Sequence, residues 1–365
     1  MRNDALYALA FLALTSGCED KPKETKVTES DAGRSAQGAV DPKLAEAVAA
    51  AGSKAAKSDA GAATGDGPPP TGVFAPGKAD TQIKRGDPPK VELGEAGAEP
   101  RIALQGEVPP GWKQSGTFDV TLRLGRAQLP PLGVSLTIEA QKPKAPAAGG
   151  AAPAAAPAPA ADGTLLSAKL TDVKLTGELG PQGKEMAAQL GRMKGSKVDF
   201  RVLSGGVAVD FAYQLAKGAS PDLEMVLHAV GEALDATIVG FPKEPVGAGG
   251  FWLITTRGAS TGAEVVSYRL VKLEKVAGDT LSLSVNAKRY AVSHKLELAG
   301  LPPGAELEQF QSTTDSKLTM TKGDPLASAG STKQTFQAQL IPAGGGDQRL
   351  GMQSVAEVSI ALGKK

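Results

Sequence analysis

Beyond residue 110, apolar side chains recur at every second position over long stretches of this chain. Phe118, Val120, Leu122 and Leu124 are separated by Asp119, Thr121 and Arg123, and Val134, Leu136, Ile138 and Ala140 by Ser135, Thr137 and Glu139. Successive side chains of a strand point to opposite faces, so this alternation makes strands with one apolar and one polar face. Half-buried strands of that kind belong to antiparallel sheets. The pattern resumes at Leu166, Ala168 and Leu170 and then shifts phase to Val173 and Leu175. The shift predicts a bulge around Thr171-Asp172, which bends the strand and favours a curved sheet.

Later segments repeat the theme. Val198, Phe200 and Val202 face Val207, Val209 and Phe211 across Ser204-Gly205-Gly206, the glycine pair supplying positive φ angles. Further strands are predicted over Trp252 to Thr256, over Val265 to Val276 turning at Gly278-Asp279 into Leu281 to Ala287, and around Lys317 to Lys322, Thr335 to Leu340 and Gln353 to Leu362. Two helices interrupt them. The first contains Met186, Leu190 and Met193; the second opens with Ser220 as N-cap, Pro221 and Asp222, then carries the one-sided stripe Leu223, Val226, Leu227, Val230 and Leu234. Strand runs broken by two helices lack the regular alternation of a doubly wound fold. The predicted class is α+β: a curved, mainly antiparallel, half-barrel-like meander with two helices packed on it.

Composition sets the boundaries. From Glu19 to about Asp87 the chain is rich in Lys, Glu, Ala, Gly, Ser and Pro with few large apolar residues, too few to offset the entropy of ordering. Residues 18–89 are therefore read as a disordered tether ahead of a β-rich domain at 90–365. One short helix is predicted inside the tether, with Asp41 as cap and Pro42 at its first position before Leu44. The Pro/Ala-rich run at 142–162 reads as a surface loop, because proline cannot supply a regular donor ladder. A net charge of +1 gives no field to attract a polyanion, so no nucleic-acid partner is expected.

The extreme N-terminus has a different character. Arg2 precedes the apolar run Ala5 to Leu14, followed by Thr15-Ser16-Gly17-Cys18. About ten apolar residues are half of what a spanning helix needs. The segment resembles a bacterial lipoprotein signal peptide. That resemblance implies removal of residues 1–17, lipidation of Cys18, a membrane partner reached through the lipid, and a place in the cell envelope facing the periplasm, with the outer membrane favoured. Cys18 is the chain's single cysteine, so no disulfide forms within the chain.

Chemistry is sparse. Gly258-Ala259-Ser260-Thr261-Gly262 matches the G-x-S-x-G nucleophile elbow, but strands are predicted on both sides, which makes it a hairpin turn. His228 falls outside the helix stripe and reads as exposed; His294 lies in a strand-like alternation and reads as a sheet-face residue. The pairs Glu306 with Glu308 and Glu232 with Asp235 read as exposed charged faces and not as a hydrolase pair. Gly247, Gly249 and Gly250 lead into a strand and lack the helix N-terminus of a phosphate cradle. No catalytic residue, metal site or cofactor is expected.

Pro245-Val246 followed by Gly249 and Trp252 resembles the Pro-Val…Gly-Asp-x-Trp segment of a family of uncharacterised bacterial lipoproteins with a β-rich domain of this length, with Gly250 in place of the acidic residue. The resemblance implies location and fold, and no activity. Trp252 reads as a core anchor or a ligand-stacking residue. The functional expectation is non-enzymatic binding of an apolar ligand or lipid between sheet and helix, lined by Leu223, Val226, Leu227, Val230 and Trp252; a filled core is the simpler reading of the same residues, and the sequence does not choose between them. The alternatives are an assembly lipoprotein that binds an envelope protein, and an envelope hydrolase.

Overall fold

The computed structural model describes residues 68–141, 163–177, 181–260, 262–296, 304–343 and 349–364. The signal segment, Cys18, the tether up to residue 67 with its predicted helix, and the loop at 142–162 lie outside the described residues.

Among the described residues, thirteen strands form a single antiparallel sheet. The first half of the chain gives β1 (Lys90–Glu95), β2 (Lys113–Leu124), β3 (Ala127–Gln128), β4 (Leu132–Ala140), β5 (Thr164–Leu175), β6 (Lys197–Val202) and β7 (Ala208–Gln214). The second half gives β8 (Phe251–Ser260), β9 (Ala263–Ala277), β10 (Thr280–Ala291), β11 (Glu306–Thr321), β12 (Ala329–Ile341) and β13 (Leu350–Lys364). Helices α1 (Ala79–Gln82), α2 (Pro181–Gly191) and α3 (Glu224–Thr237) complete it. The strand order is β1-β8-β9-β10-β11-β12-β13-β2-β4-β5-β6-β7, with β3 paired to β2. A continuous meander from β8 to β13 is thus joined through β2 to a second run ending at β7.

This overturns the α+β expectation. Strand accounts for 54% of the described structure and helix for 11%, so the helices are additions to one large open sheet and not a layer of comparable weight. The physical reason is that the sheet covers much of its own inner face. Trp252 of β8 and Phe200 of β6, from strands near opposite ends of the order, belong to one apolar core that also takes in Phe118, Val134, Leu273, Leu283 and Ile360. A sheet wrapped about a shared core needs only one substantial helix, α3, to fill it.

Local detail follows the sequence closely at β5. The β4–β5 register passes from Ser135↔Asp172 to Leu136↔Leu170, leaving Thr171 as the extra residue of a bulge. At β6–β7 the register also shifts, between Asp199↔Ala212 and Arg201↔Val209. Asp210 takes a left-handed φ of 58° there, and the extra residues change which side chains face inward. Phe211 stacks on Phe200 at 5.2 Å, while Val209 lies opposite Arg201 and not in the predicted apolar row. Gly205 and Gly206 carry the expected positive φ angles of 97° and 83°. Both sheet edges are guarded: β7 by this bulge, β1 by exposed Lys90, Glu92 and Glu95 and its own register shift, devices that discourage edge-to-edge pairing.

The end of the segment read as tether packs on the sheet. The β10–β11 ladder stops at Arg289↔Ser312, and beyond it Thr71 to Phe74 enters between the two strands. Phe74 N–H donates to Ala291 O (2.9 Å), Ala291 N–H to Gly72 O (2.8 Å) and Phe310 N–H to Thr71 O (2.9 Å). Val73 joins an apolar cluster with Phe310 and Phe336; Phe74, Ala79 and Ile83 join another with Leu253, Val266, Tyr268, Leu270 and Tyr290. The large residues Val73, Phe74 and Ile83 are spaced too irregularly in sequence to form a period, so composition outweighed them. The folded unit begins by residue 71.

Candidate functional site

Helix α3 crosses the inner face and presents three different surfaces. Its predicted stripe is buried: Leu223, Val226, Leu227 and Val230 lie in the main core together with Trp252. Leu227, Val230 and Trp252 are 0% exposed, so no water-sized space touches them. Trp252 Nε1 donates to Gly240 O at 2.7 Å, satisfying its one polar atom inside the core. The five residues expected to line a ligand cavity all belong to this one large apolar core.

The second surface carries charge. Glu232 and Asp235, expected on an exposed face, are only 14% and 15% exposed. They meet two arginines from the inner face of the sheet. Arg289 Nη2 lies 3.1 Å from Glu232 Oε2 and 3.7 Å from Asp235 Oδ2. Arg269 donates through Nη2 to the Asp235 carboxylate and through Nη1 to its carbonyl oxygen at 3.1 Å. Ser260 Oγ donates to Glu232 Oε1 at 2.8 Å, and Arg289 Nη1 donates to Thr314 Oγ1 at 2.9 Å. The four charges cancel, and each ion has a counter-ion within the cluster.

The arginines were legible in principle. In Val265, Ser267, Arg269, Val271, Leu273 and in Leu281, Leu283, Val285, Ala287, Arg289 the alternation itself places an arginine among inward-facing residues. A buried guanidinium demands a carboxylate, and the helix that crosses the inner face supplies two. They share the inner face with Ser267↔Arg289↔Ser312 and Arg269↔Ala287↔Thr314↔Gln334↔Ala356, rows that form a polar band between two apolar clusters.

The third surface is the flank bearing Met225, Ala229 and Glu232, at helical spacing of four and three. Gln334 Nε2 donates to Glu232 Oε2 at 3.4 Å, and Gln334 pairs across the ladder with Ala356. Leu129, whose N–H donates to Leu122 O, lies next to that ladder because Leu122 pairs with Ala356. Ala229, Ala356 and Leu129 are partly buried at the margin of the main core, as are Met186 and Ala187 of α2; Met225 is 44% exposed. The core beneath α3 is therefore fully buried at Leu227 and Val230, while its margin on this flank is half-buried and apolar, with Met225 exposed. Met225 and Ala229 were passed over in the sequence because neither belongs to the stripe.

The remaining candidates have structural roles. His228 packs against Tyr213 with ring centroids 4.0 Å apart and planes tilted by 38°, and lies 3.7 Å from Glu224. Burial, reinforced by Glu232 and Asp235, pushes the Tyr213 phenol well above its ordinary value, so it stays protonated. His294 Nδ1 is 2.6 Å from Leu307 O, just past β10. Ser260 ends β8 and pairs with Ala263 at the start of β9, so the G-x-S-x-G match lies where two antiparallel strands join and not between a strand and a helix, and Ser260 Oγ donates to Glu232. Glu308 pairs with Arg349 at 2.7 Å.

The glycine run offers no phosphate cradle. Its N–H groups are spent on carbonyls: Gly247 on Ala96 (2.7 Å), Gly249 on Leu273 (2.7 Å) and Gly250 on Gly247 (3.0 Å). Val246 bridges Ile102, and a Cβ on Gly247 would lie 1.7 Å from Ala98 O, so this Pro-Val…Gly-Gly-x-Trp segment is a close backbone crossing that seats Trp252. Among the described residues no group of three or more His, Cys, Asp or Glu is placed to hold a metal ion. No described helix is long and apolar enough to cross a membrane. No protein-family model matches the chain, and no curated protein is significantly similar to it.

Proposed function

We propose that this protein is a lipid-anchored lipoprotein of the cell envelope, held through Cys18 and facing the periplasm, that binds an acyl chain or similar apolar ligand without catalysis. The observation that carries the reading is the flank of α3 on which Met225 is 44% exposed and Ala229 is half-buried at the margin of the main core, a margin to which Ala356 and Leu129 also belong. Soluble proteins cover such margins unless something else does. Alanines at 229 and 356 leave room near the backbone, and an unbranched, polarizable methionine adapts to a chain of variable shape. The ligand therefore meets the open flank and not the sealed stripe. The lipobox-like sequence supports the envelope location, and the polar band beyond Glu232 supplies a polar terminus to the apolar slot.

The test is native mass spectrometry of the chain from residue 19 onward, exported to a periplasm and purified without detergent. An added mass of lipid size, removed by solvent extraction and lost on Ala229→Trp, with the variant melting at the temperature of the solvent-extracted parent, is the expected result. A bare mass in both proteins overturns the ligand reading. Cross-linking of the anchored protein to one envelope protein would then favour the assembly alternative.

A further inference from the structure

The strap formed by residues 71–83 is bound to the sheet like a separate ligand. It makes its main-chain hydrogen bonds to β10 and β11, elements far along the chain, and its side chains enter two different clusters. Arg257, on β8, fixes its far end by donating to Asp80 and to Ile83 O, the latter at 3.0 Å, while its Nε holds Glu264 at 2.9 Å. Gly72 is matched to its seat: its φ is 78°, and a Cβ there would lie 1.5 Å from Phe310 O. The receptor for this strap is specific for the strap's own sequence.

The link from strap to β1 is by contrast weak. Residues 84–88 are exposed, and the turn is closed by Asp87 N–H to Lys84 O (3.1 Å) and Lys84 N–H to the Asp87 carboxylate (3.1 Å). Gly86 takes a φ of 86°, with open space where a side chain would project. Pro88 and Pro89 follow, and a residue ahead of proline is biased to extended backbone. Opening this link loses one local turn and the exposed Arg85–Glu264 pair at 3.8 Å, while every strap contact can be remade on another molecule.

We propose that the receptor between β10 and β11 accepts the strap of a second copy of this chain, giving a strap-exchanged dimer hinged at residues 84–89. The occupant is committed by complementarity: Gly72 meets Phe310 O, Val73 and Phe74 enter two different apolar clusters, and Asp80 meets Arg257, so the seat is shaped to this strap. The proposal stands apart from the ligand reading, since the strap and the α3 flank share no residue.

The experiment uses the full-length chain with Cys18→Ser. Light scattering after size exclusion should show a dimer fraction rising with concentration. Gly86→Val penalises the closed turn and meets no atom, so the dimerisation constant should rise by about tenfold for each hinge, roughly a hundredfold in total. To identify the contact, Val73→Cys with Ala291→Cys joins two residues that bridge in the structure. Non-reducing electrophoresis should then give a covalent dimer in proportion to the exchanged fraction. A Gly86→Val protein that remains monomeric overturns the proposal, and so does a dimer in which the introduced disulfide links the two positions within one chain. If the double cysteine variant fails to fold, the Gly86→Val measurement decides alone.

Discussion

Arg289 Nη2 stands 3.1 Å from Glu232 Oε2, an ion pair that joins the tenth strand to the helix crossing the sheet's inner face. Asp235 and Arg269 complete a neutral quartet around it. Apolar packing alone would let α3 rotate or slide on a surface of leucines and valines, because dispersion and hydrophobic contacts are non-directional. Four charges with fixed partners allow one orientation. In that orientation Leu227 and Val230 are fully buried and Met225 is 44% exposed.

Arg289→Met removes the guanidinium paired with Glu232 and leaves that carboxylate with the hydrogen bonds from Ser260 and Gln334 in a site with little water. Breaking a buried pair on one side costs about 3–5 kcal/mol. Adding Glu232→Leu should restore much of that, since an apolar pair of similar volume replaces a buried ion pair at little cost. Urea denaturation of the two single variants and the double variant measures the coupling; additive losses would deny that the two residues act as a pair.

The strands and the α3 stripe were readable because each imposes a period on the sequence, two for the sheet and 3.6 for the helix. The bulge at Thr171 was readable as a break in period. Fold class was misjudged because a sequence shows helices as segments and not how much of a layer they cover. The burial of Glu232 and Asp235 was invisible for a related reason: a helical wheel separates flanks, and only the sheet says which flank meets solvent. Val73, Phe74 and Ile83 carried no period at all. They pack into two clusters assembled from distant strands, Val73 into one and Phe74 with Ile83 into the other.

Gly72→Ala tests whether the strap is seated as described. A methyl group aimed at Phe310 O cannot be accommodated without moving backbone, and the left-handed φ adds its own cost. The amides of Phe74, Ala291 and Phe310 should exchange with solvent at least about tenfold faster, while those in the middle of β12 and β13 stay protected, because opening is local. Uniformly faster exchange would mean that the strap is part of the global folding unit.

Leu227→Ala and Met225→Ala separate the two surfaces of α3. Leu227 is fully buried, so its truncation should cost about 2–5 kcal/mol through lost transfer energy and the residual cavity. Met225 is 44% exposed and should change stability by no more than about 0.5 kcal/mol. Under the proposed function the order reverses for ligand: Met225→Ala weakens retention of the bound mass, and Leu227→Ala, if folded, keeps it.

Alkaline titration probes the surface under the strap. Burial among Phe74, Tyr268 and the neighbouring strands pushes the Tyr290 phenol from 10.0 up to about 12. The unfolded chain therefore releases this proton first, between about pH 10 and 12, and unfolding gains free energy over that interval. Stability from this source is fully present below about pH 10 and is lost as pH rises through about 12, by at most about 2–3 kcal/mol at about 1.36 kcal/mol per unit. Tyr290→Phe removes the ionisation and keeps the ring against Phe74 at 6.0 Å. The variant should match the parent at neutral pH and hold its melting temperature further into alkali. Equal alkaline losses in both proteins would assign the transition to other groups, Tyr268 first among them, whose phenol burial also raises.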